Sequence, residues 1–420
     1  MASYTLTTLR QKVCEELGIW KSFTTTSAGS AAKLTVISTE LSDLESESLT
    51  DKYIKVTSGA TLETRRIKAF DSNLGTITVY RAFTAQIATS VTFEIHEVDP
   101  SEFTTYINAA LRDSYPDLFT EVHDRSLVSG NILPSFQNWT ASTYPDFWRV
   151  SAVTATESTS PLHFGSCVQL GTAAGYLYLS NSNYAELRNL ENSTKTFSCW
   201  VKTAAASNAR ICLYTKTQGG TELTTYSDYH TGGGEWELLE IENYVVPDDL
   251  GTIEARCYIA TTTAAYFDLP VIDAGWYEMP LPDTIDSVLY VYEGNDCDEV
   301  GVDDLIPQDF ITEVKSGVKY IRLLPSNSGP SSHNHLEIIG KGTFTALSAE
   351  AGTAFLEPTW VKVIIYGAAA GYLRSKASNI GTADMTNLDN RIKYYDGKFE
   401  QYKKSNRRVV HPPKIGRVLI

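Results

Sequence analysis

The sequence predicts a mainly β protein with helices (α+β), in which a split domain of antiparallel sheet and helices encloses an inserted β-sandwich. At 420 residues the chain is too long for one compact core. Its 24 Tyr against 3 Met, with abundant Thr and Ser, favour strands. Apolar residues follow helical spacing near both ends and alternate in the middle.

Residues 1–128 form the first half of the split domain. Leu6, Leu9, Val13 and Leu17 predict an amphipathic helix that Gly18 ends. Runs rich in branched residues, separated by Gly, Asn and Asp, then predict a small antiparallel sheet. These runs cover 34–37, 53–56, 65–67, 76–79 and 92–95.

A second helix is predicted to begin at Asp99. This residue can act as N-cap, Pro100 suits the first turn, and Glu102 stands three residues after the cap. Pro116 is expected to end the helix.

Residues 129–276 have the pattern of an inserted sandwich, with turn signals about every eight to twelve residues. The earlier pattern returns at residue 277, so 1–128 and 277–420 are interpreted as halves of one domain. Helices are predicted at about 361–376 and again further on, where apolar residues recur at steps of three and four. That second stripe consists of Leu388, Ile392, Tyr395, Phe399 and Tyr402.

The end of the chain is basic although the whole chain carries a net charge of −15. Residues 391–420 contain nine Lys or Arg and two acids, which gives 9 − 2 = +7. Such a tail favours contact with an acidic neighbour or with packaged DNA. A solvated helix face followed by an extended end is the alternative.

The sequence contains no GxSxG, HExxH or Walker A motif, so neither an enzyme nor a cofactor is predicted. It also lacks an apolar run of membrane-spanning length and a secretory signal. Its six cysteines form no CxxC pair, and buried thiols are expected.

Residues 131–275 resemble the β-jelly-roll carbohydrate-binding modules of the family-4-and-9 type. The motifs that carry the resemblance are, in order, Asn131–Phe136, Trp139, Trp148, Phe197–Lys202, Thr231-Gly232 with Trp236, Val246-Pro247, Ala265–Asp268 and Ala274-Gly275. The resemblance implies a jelly roll and a structural calcium ion at Asp268.

Exposed aromatic rings of this sandwich are conceivable sugar platforms, because a flat ring can stack on a pyranose. The candidates are Trp139, Trp148, Tyr226 and Tyr229. In the alternative interpretation Trp148, Trp200 and Trp236 fill the core of the sandwich, and for Trp200 and Trp236 this interpretation is preferred.

The flanking halves resemble the head-to-tail adaptor, or neck, proteins of tailed bacteriophages. The segments that carry this resemblance are 9–13, 65–67, 75–79, 93–96, 99–100, 106–111, 277–282, 285–290 and the two C-terminal helices. It implies a structural virion protein, made in the host cytoplasm, that joins the portal to neighbouring neck or tail proteins in a ring, expected to be dodecameric. The sandwich would then point outward.

A docking tail follows from the same resemblance. It comprises Arg407, Arg408, His411, Pro412, Pro413, Lys414 and Arg417. We expect this tail to reach a neighbouring subunit, with packaged DNA nearby, while the sandwich could contact glycans.

Two hypotheses of other classes remain. A receptor-binding, tail-fibre or decoration protein of the virion would bind host-surface glycans through the sandwich, but it usually brings repeats or trimeric β-structure. A carbohydrate-active enzyme would need two opposed carboxylates in a cleft. No segment of catalytic-domain size is left to supply them.

Overall fold

A computed structural model describes residues 2–42, 44–45, 48–59, 62–140, 143–161, 165–294, 306–324, 334–377 and 385–410. Contacts between residues divide the chain into two units. The first unit consists of residues 1–120 and 343–409, and the second of residues 121–342 and 410–420.

The N-terminal segment confirms the predicted small sheet with its two helices. Its elements are β1 (Ala2–Thr5), α1 (Leu6–Leu17), β2 (Trp20–Thr24), β3 (Thr35–Ile37), a 3-10 turn (Thr39–Leu41), β4 (Tyr53–Val56), β5 (Thr64–Asp71), β6 (Thr76–Val79), β7 (Thr92–His96) and α2 (Glu102–Ser114). Six of the strands form an antiparallel sheet in the order β2-β7-β4-β5-β6-β3.

The start of α2 differs from the prediction. The helix begins at Glu102 after Ser101, and Ser101 makes no side-chain cap. The Asp99 carboxylate instead accepts hydrogen bonds from the backbone N–H and the hydroxyl of Ser101, at 2.9 and 2.8 Å. Asp99 therefore fixes the turn before the helix, because a short acidic side chain readily bonds the backbone two residues on.

The middle of the chain is built of strands. They are β8 (Thr120–Val128), β9 (Gly130–Asn131), β10 (Arg149–Ser151), β11 (Thr154–Ser158), β12 (Cys167–Gly171), β13 (Gly175–Ser180), β14 (Thr194–Thr203), β15 (Ala209–Thr217), β16 (Glu222–Tyr226), β17 (Trp236–Val245), β18 (Leu250–Ile259), β19 (Ala265–Trp276), β20 (Glu278–Pro280), β21 (Ser287–Gly294), β22 (Ile306–Pro307), β23 (Phe310–Lys315), β24 (Val318–Leu323) and β25 (His335–Gly342). A 3-10 helix (Ala185–Leu190) precedes β14.

Two antiparallel sheets of this unit form the predicted β-sandwich. One has the order β10-β13-β18-β15-β16, and the other has the order β11-β12-β19-β14-β17 with β9 beside β19. Strand side chains alternate between the two sides of each sheet. The inward ones join a single core that includes Phe136, Trp148, Phe197 and Phe267.

The strands that flank the sandwich group with it and not with the first unit. β8 pairs with β25 in the sheet β22-β21-β25-β8, and β20, β24 and β23 form a further three-stranded sheet. The Asn138 Nδ2 donates to Leu281 O at 2.8 Å, and Asn138 Oδ1 accepts from the Asp283 amide. The contacts therefore divide the chain at 120/121 and 342/343, whereas the sequence had placed the boundaries at 128/129 and 276/277.

The last described elements are β26 (Thr353–Leu356), α3 (Pro358–Ala377) and α4 (Met385–Ser405), which confirm both predicted C-terminal helices. β26 pairs with β1. Helices α1 to α4 share one apolar core that contains Leu9, Phe103, Trp360 and Tyr395. Of the helices that the structure describes, none is long and apolar enough to cross a bilayer.

Five cysteines are free and buried, as predicted: Cys14, Cys167, Cys199, Cys212 and Cys257. Cys297 lies outside the described residues. Burial raises the pKa of Cys14 and of Cys167 to about 12, so both thiols stay protonated and unreactive at neutral pH.

Candidate functional site

One side of the five-stranded sheet faces solvent and is rich in aromatic and charged residues. In β18, Ala255 and Cys257 point into the core, while Arg256 and Tyr258 stand half-buried on the opposite side. We name this surface the tyrosine–arginine face. It consists of Tyr176, Tyr178, Arg210, Tyr214, Tyr226, Tyr229, Glu254, Arg256 and Tyr258.

Strand register brings these side chains together, although they are far apart in sequence. In one row across the sheet, Tyr258 lies opposite Tyr176 on β13 and opposite Arg210 on β15. Directly opposed side chains on neighbouring strands are in contact range. The next row contains, in strand order, Arg149, Tyr178, Arg256, Cys212 and Tyr226.

Arg210 is surrounded by three tyrosine rings. Its guanidinium carbon lies 3.6 Å from the ring centroid of Tyr226, 4.4 Å from that of Tyr229 and 5.2 Å from that of Tyr258. Each contact places a cation over an electron-rich ring face, which is worth about 0.5–1 kcal/mol at an exposed site. The rings thus hold the guanidinium plane in one orientation.

Arg256 is the centre of a second cluster. Its guanidinium carbon lies 4.6 Å from the Tyr176 ring and 4.3 Å from the Tyr214 ring. Its Nε and Nη2 both approach Oε2 of Glu254, at 2.8 and 2.7 Å. Burial opposes the charged form, but the bond to Glu254 prevails and raises the pKa of Arg256 above its ordinary value.

The segment after β16 is fixed by His230, which positions Tyr229. The buried His230 Nδ1 accepts a hydrogen bond from the Gly232 amide at 2.8 Å, so Nε2 carries the proton and donates to Glu235 O at 3.0 Å. The His230 amide donates to Ala209 O at 2.9 Å. These bonds hold the segment beside the start of β15, where Arg210 lies.

The structure separates the four predicted platform residues. Tyr226 and Tyr229 lie on the tyrosine–arginine face. Trp148 has no exposed surface and packs against Phe136 in the core, so its prediction as a sugar platform is wrong. Trp139 is half-buried against the same core, and its indole Nε1 donates to Phe136 O at 2.8 Å.

Sequence reasoning missed most of the face. Each strand carried a signal, because polar or aromatic residues alternate with buried apolar ones in Gly175–Ser180, Ala209–Thr217 and Leu250–Ile259. Alternation shows that a strand has a solvent side, but it does not show which strands are neighbours. The order β13-β18-β15 was therefore beyond prediction.

Asp268, the predicted calcium residue, is buried in β19, and its Oδ1 accepts a hydrogen bond from the Leu269 amide at 2.8 Å. No group of three or more His, Cys, Asp and Glu side chains in the described part of the chain could hold a metal ion. Calcium takes about six to eight oxygen ligands. A calcium ion here would depend on backbone carbonyls and stays a prediction.

Two of the predicted docking residues contact their own unit. Arg407 Nε lies 3.4 Å from Asp117 Oδ1, and Arg408 Nη1 donates to Phe119 O at 3.2 Å. The Arg408 guanidinium also lies over the ring of Trp360. The remaining tail residues His411, Pro412, Pro413, Lys414 and Arg417 are outside the described residues.

Comparison with known proteins gave no matching family model and no matching curated protein. Among solved structures, the C-terminal family 22 carbohydrate-binding module of Clostridium thermocellum Xyn10B is 15% identical, covers 34% of this chain and 94% of its own, and has a TM-score of 0.28. TmCBM61 in complex with β-1,4-galactotriose is 21% identical, with 34% and 98% covered and a TM-score of 0.24.

The enzymatically active domain of tailspike protein 4 of bacteriophage CBA120 also matches. It is 12% identical, the match covers 35% of this chain and 21% of that chain, and the TM-score is 0.25. At these identities and TM-scores the likeness carries no argument about function. The adaptor role, the ring, the portal and the DNA contact find no support in these comparisons and stay predictions from sequence.

Proposed function

We propose that this chain is a glycan-binding protein whose ligand lies on the tyrosine–arginine face. The observation that carries the proposal is the cluster of tyrosine rings on the solvent side of one sheet, including Tyr226 with 41% of its surface exposed. A tyrosine ring offers an apolar surface to the C–H groups of a sugar, and its hydroxyl can bond sugar hydroxyls.

The ion pairs of the face suit binding and not hydrolysis. Glu254 is bonded to Arg256, and Glu222 lies 2.9 Å from Lys216 at the edge of the sheet. Hydrogen bonds from Lys216 and Tyr214 lower the pKa of Glu222. A glycosidase needs one carboxyl group that stays protonated to act as an acid. Glu254 and Glu222 are instead paired with cationic side chains.

This role corresponds to the alternative predicted from the sequence, a virion decoration or receptor-binding protein that recognises host-surface glycans. It requires only the sandwich and its exposed face. The proposed activity is binding without catalysis.

The test is a glycan array probed with the full chain, followed by titration calorimetry on the best glycan. We expect Tyr226→Ala and Tyr258→Ala each to weaken binding by about tenfold or more, because truncating a central aromatic anchor costs more than about 1 kcal/mol. Tyr80→Ala is the matched control. Tyr80 is 56% exposed in the other unit and also has an arginine over its ring.

Unchanged affinity of both face variants, with both folded, would place the ligand elsewhere on the chain. An array without any bound glycan would contradict the proposal itself.

A further inference from the structure

The Arg210 guanidinium carries a charge that no described residue neutralises. No carboxylate of the described residues lies within 4.0 Å of it, and its buried Nε has no hydrogen-bond partner. Leaving a buried donor unpaired costs about 1–3 kcal/mol. The buried Nε is out of reach of a ligand, so a partner from outside the chain would bond the terminal Nη nitrogens.

Arg256 shows what a neutralised arginine looks like on the same face. It too lies over two tyrosine rings, but Glu254 accepts a hydrogen bond from its Nε and lies 2.7 Å from its Nη2. The two arginines thus share an aromatic setting and differ in their acidic partner. Arg210 is surrounded by tyrosine rings but has no carboxylate partner among the described residues.

The formal charges of the face leave an excess of positive charge, because Arg210 and Arg149, which stands beside Tyr178, have no carboxylate partner among the described residues. Arg256 cancels Glu254 and Lys216 cancels Glu222. Burial raises the pKa of the neighbouring Cys212 thiol to about 11, despite the nearby arginines, so it adds no negative charge at neutral pH. The chain as a whole carries −15, so any attraction for an anion must be local to this face.

We infer that Arg210 anchors an acidic group of the glycan, a carboxylate or a sulfate ester on a sugar ring. The inference rests on the proposed function and narrows its ligand to acidic glycans. Tyr226 and Tyr229 cover the plane of the guanidinium, which leaves the N–H groups at its edge for the ligand. A guanidinium edge matches a planar carboxylate with two parallel hydrogen bonds.

The experiment compares glycans in matched pairs. The full chain is titrated with oligosaccharides rich in uronic acid and with their carboxyl-reduced counterparts, and with sulfated oligosaccharides and their desulfated counterparts, at constant ionic strength. We expect the wild type to bind one acidic member at least about tenfold more tightly than its neutral partner, since charge-assisted hydrogen bonds are about twice as strong as neutral ones. The favoured pair identifies the acidic group.

Variants test which residue produces the preference for acidic glycans. Arg210→Gln should bind the acidic and the neutral glycan with equal affinity, and its affinity for the neutral glycan should match that of the wild type. Arg210→Lys should restore part of the preference for the acidic glycan. Arg256→Gln should leave the ratio above one, because Arg210 remains. Arg188→Gln is the control for loss of charge, since Arg188 is exposed outside the face.

Equal affinity for both members of every pair would overturn the inference and leave the proposed function standing. An acidic preference that survives Arg210→Gln in folded protein would also overturn it. Failure to bind any member, acidic or neutral, would contradict the proposed function itself.

Discussion

Glu350 accepts hydrogen bonds from Thr7, Arg10 and Lys55, each at 2.6 Å. Arg10 is itself 1% exposed and lies 3.5 Å from the buried Glu94. One carboxylate after β25 thereby joins helix α1 to strand β4 of the first unit. Burial alone would raise the pKa of Glu350, but these bonds from Lys55, Thr7 and Arg10 lower it to about 2.

We predict that Glu350→Gln destabilises the protein by about 1–2 kcal/mol at pH 7, a value discounted because the carboxylate is 40% exposed. The lowered pKa means that the contribution is present above the unfolded pKa near 4.5 and disappears as the pH falls to about 2. Urea unfolding of both proteins across this range measures it.

Glu15→Gln is the control, because Glu15 is exposed on α1 without an ion pair to any described residue. Its free energy of unfolding should change by less than about 0.5 kcal/mol. A loss for Glu350→Gln that does not vary with pH would contradict the electrostatic explanation.

The tryptophans show what a sequence leaves open about single residues. Trp148 was considered as a platform and fills the core, whereas Trp200 was expected in the core and packs against Val128, Leu269 and Val271 instead. An aromatic residue in a strand is compatible with either side of the sheet. The side is set by register, which long-range pairing decides.

The segment between β16 and β17 requires a glycine at position 232. Its φ is +87°, and a Cβ there would lie 2.2 Å from the Ala206 backbone nitrogen. We predict that Gly232→Ala lowers the free energy of unfolding by about 2–4 kcal/mol, from backbone strain and the clash together. Because the segment holds Tyr229, glycan affinity should fall as well.

Gly233→Ala is the neighbouring control. The nearest atom to its Cβ would be the Thr231 hydroxyl oxygen, at 3.9 Å. Chemical denaturation of both variants should show a normal midpoint for Gly233→Ala. Equal midpoints would show that the segment adjusts freely.

Elements with a local signal were predicted well. The strand Thr76–Val79 and the helix Met385–Ser405 follow from alternation and from steps of three and four. β2 was missed because Trp20–Thr24 has exposed polar positions and no continuous apolar side. Of the candidate face, only Tyr226 and Tyr229 were predicted. Arg210 was missed, because its tyrosine neighbours come from the pairing of β15 with β18 and from the chain at and after β16.

At the scale of the whole molecule, the second unit should fold without the first. A fragment of residues 121–342 keeps Leu127 with Met279 and Ile321 in one core, and it keeps Asn138 bonded to Leu281. We predict a single cooperative thermal transition by circular dichroism. The shorter fragment 129–276 should melt at lower temperature, because it loses these partners.

A shorter fragment as stable as the longer one would show that the flanking strands contribute nothing to the sandwich. Neither boundary could be set from sequence, because β8 and β25 pair across more than 200 residues and carry no local sign of it. The predicted adaptor role likewise depended on a diffuse resemblance of both flanks.

Along the central strands β13, β18 and β15 of the five-stranded sheet, residues that hold the core alternate with residues that form the exposed face. Replacement of Tyr178 or Tyr214 leaves the buried neighbours Leu177 and Leu213 in place. Selection can therefore act on the two sets separately. Substitutions on the exposed face can therefore change the ligand one residue at a time while the backbone and the core stay the same.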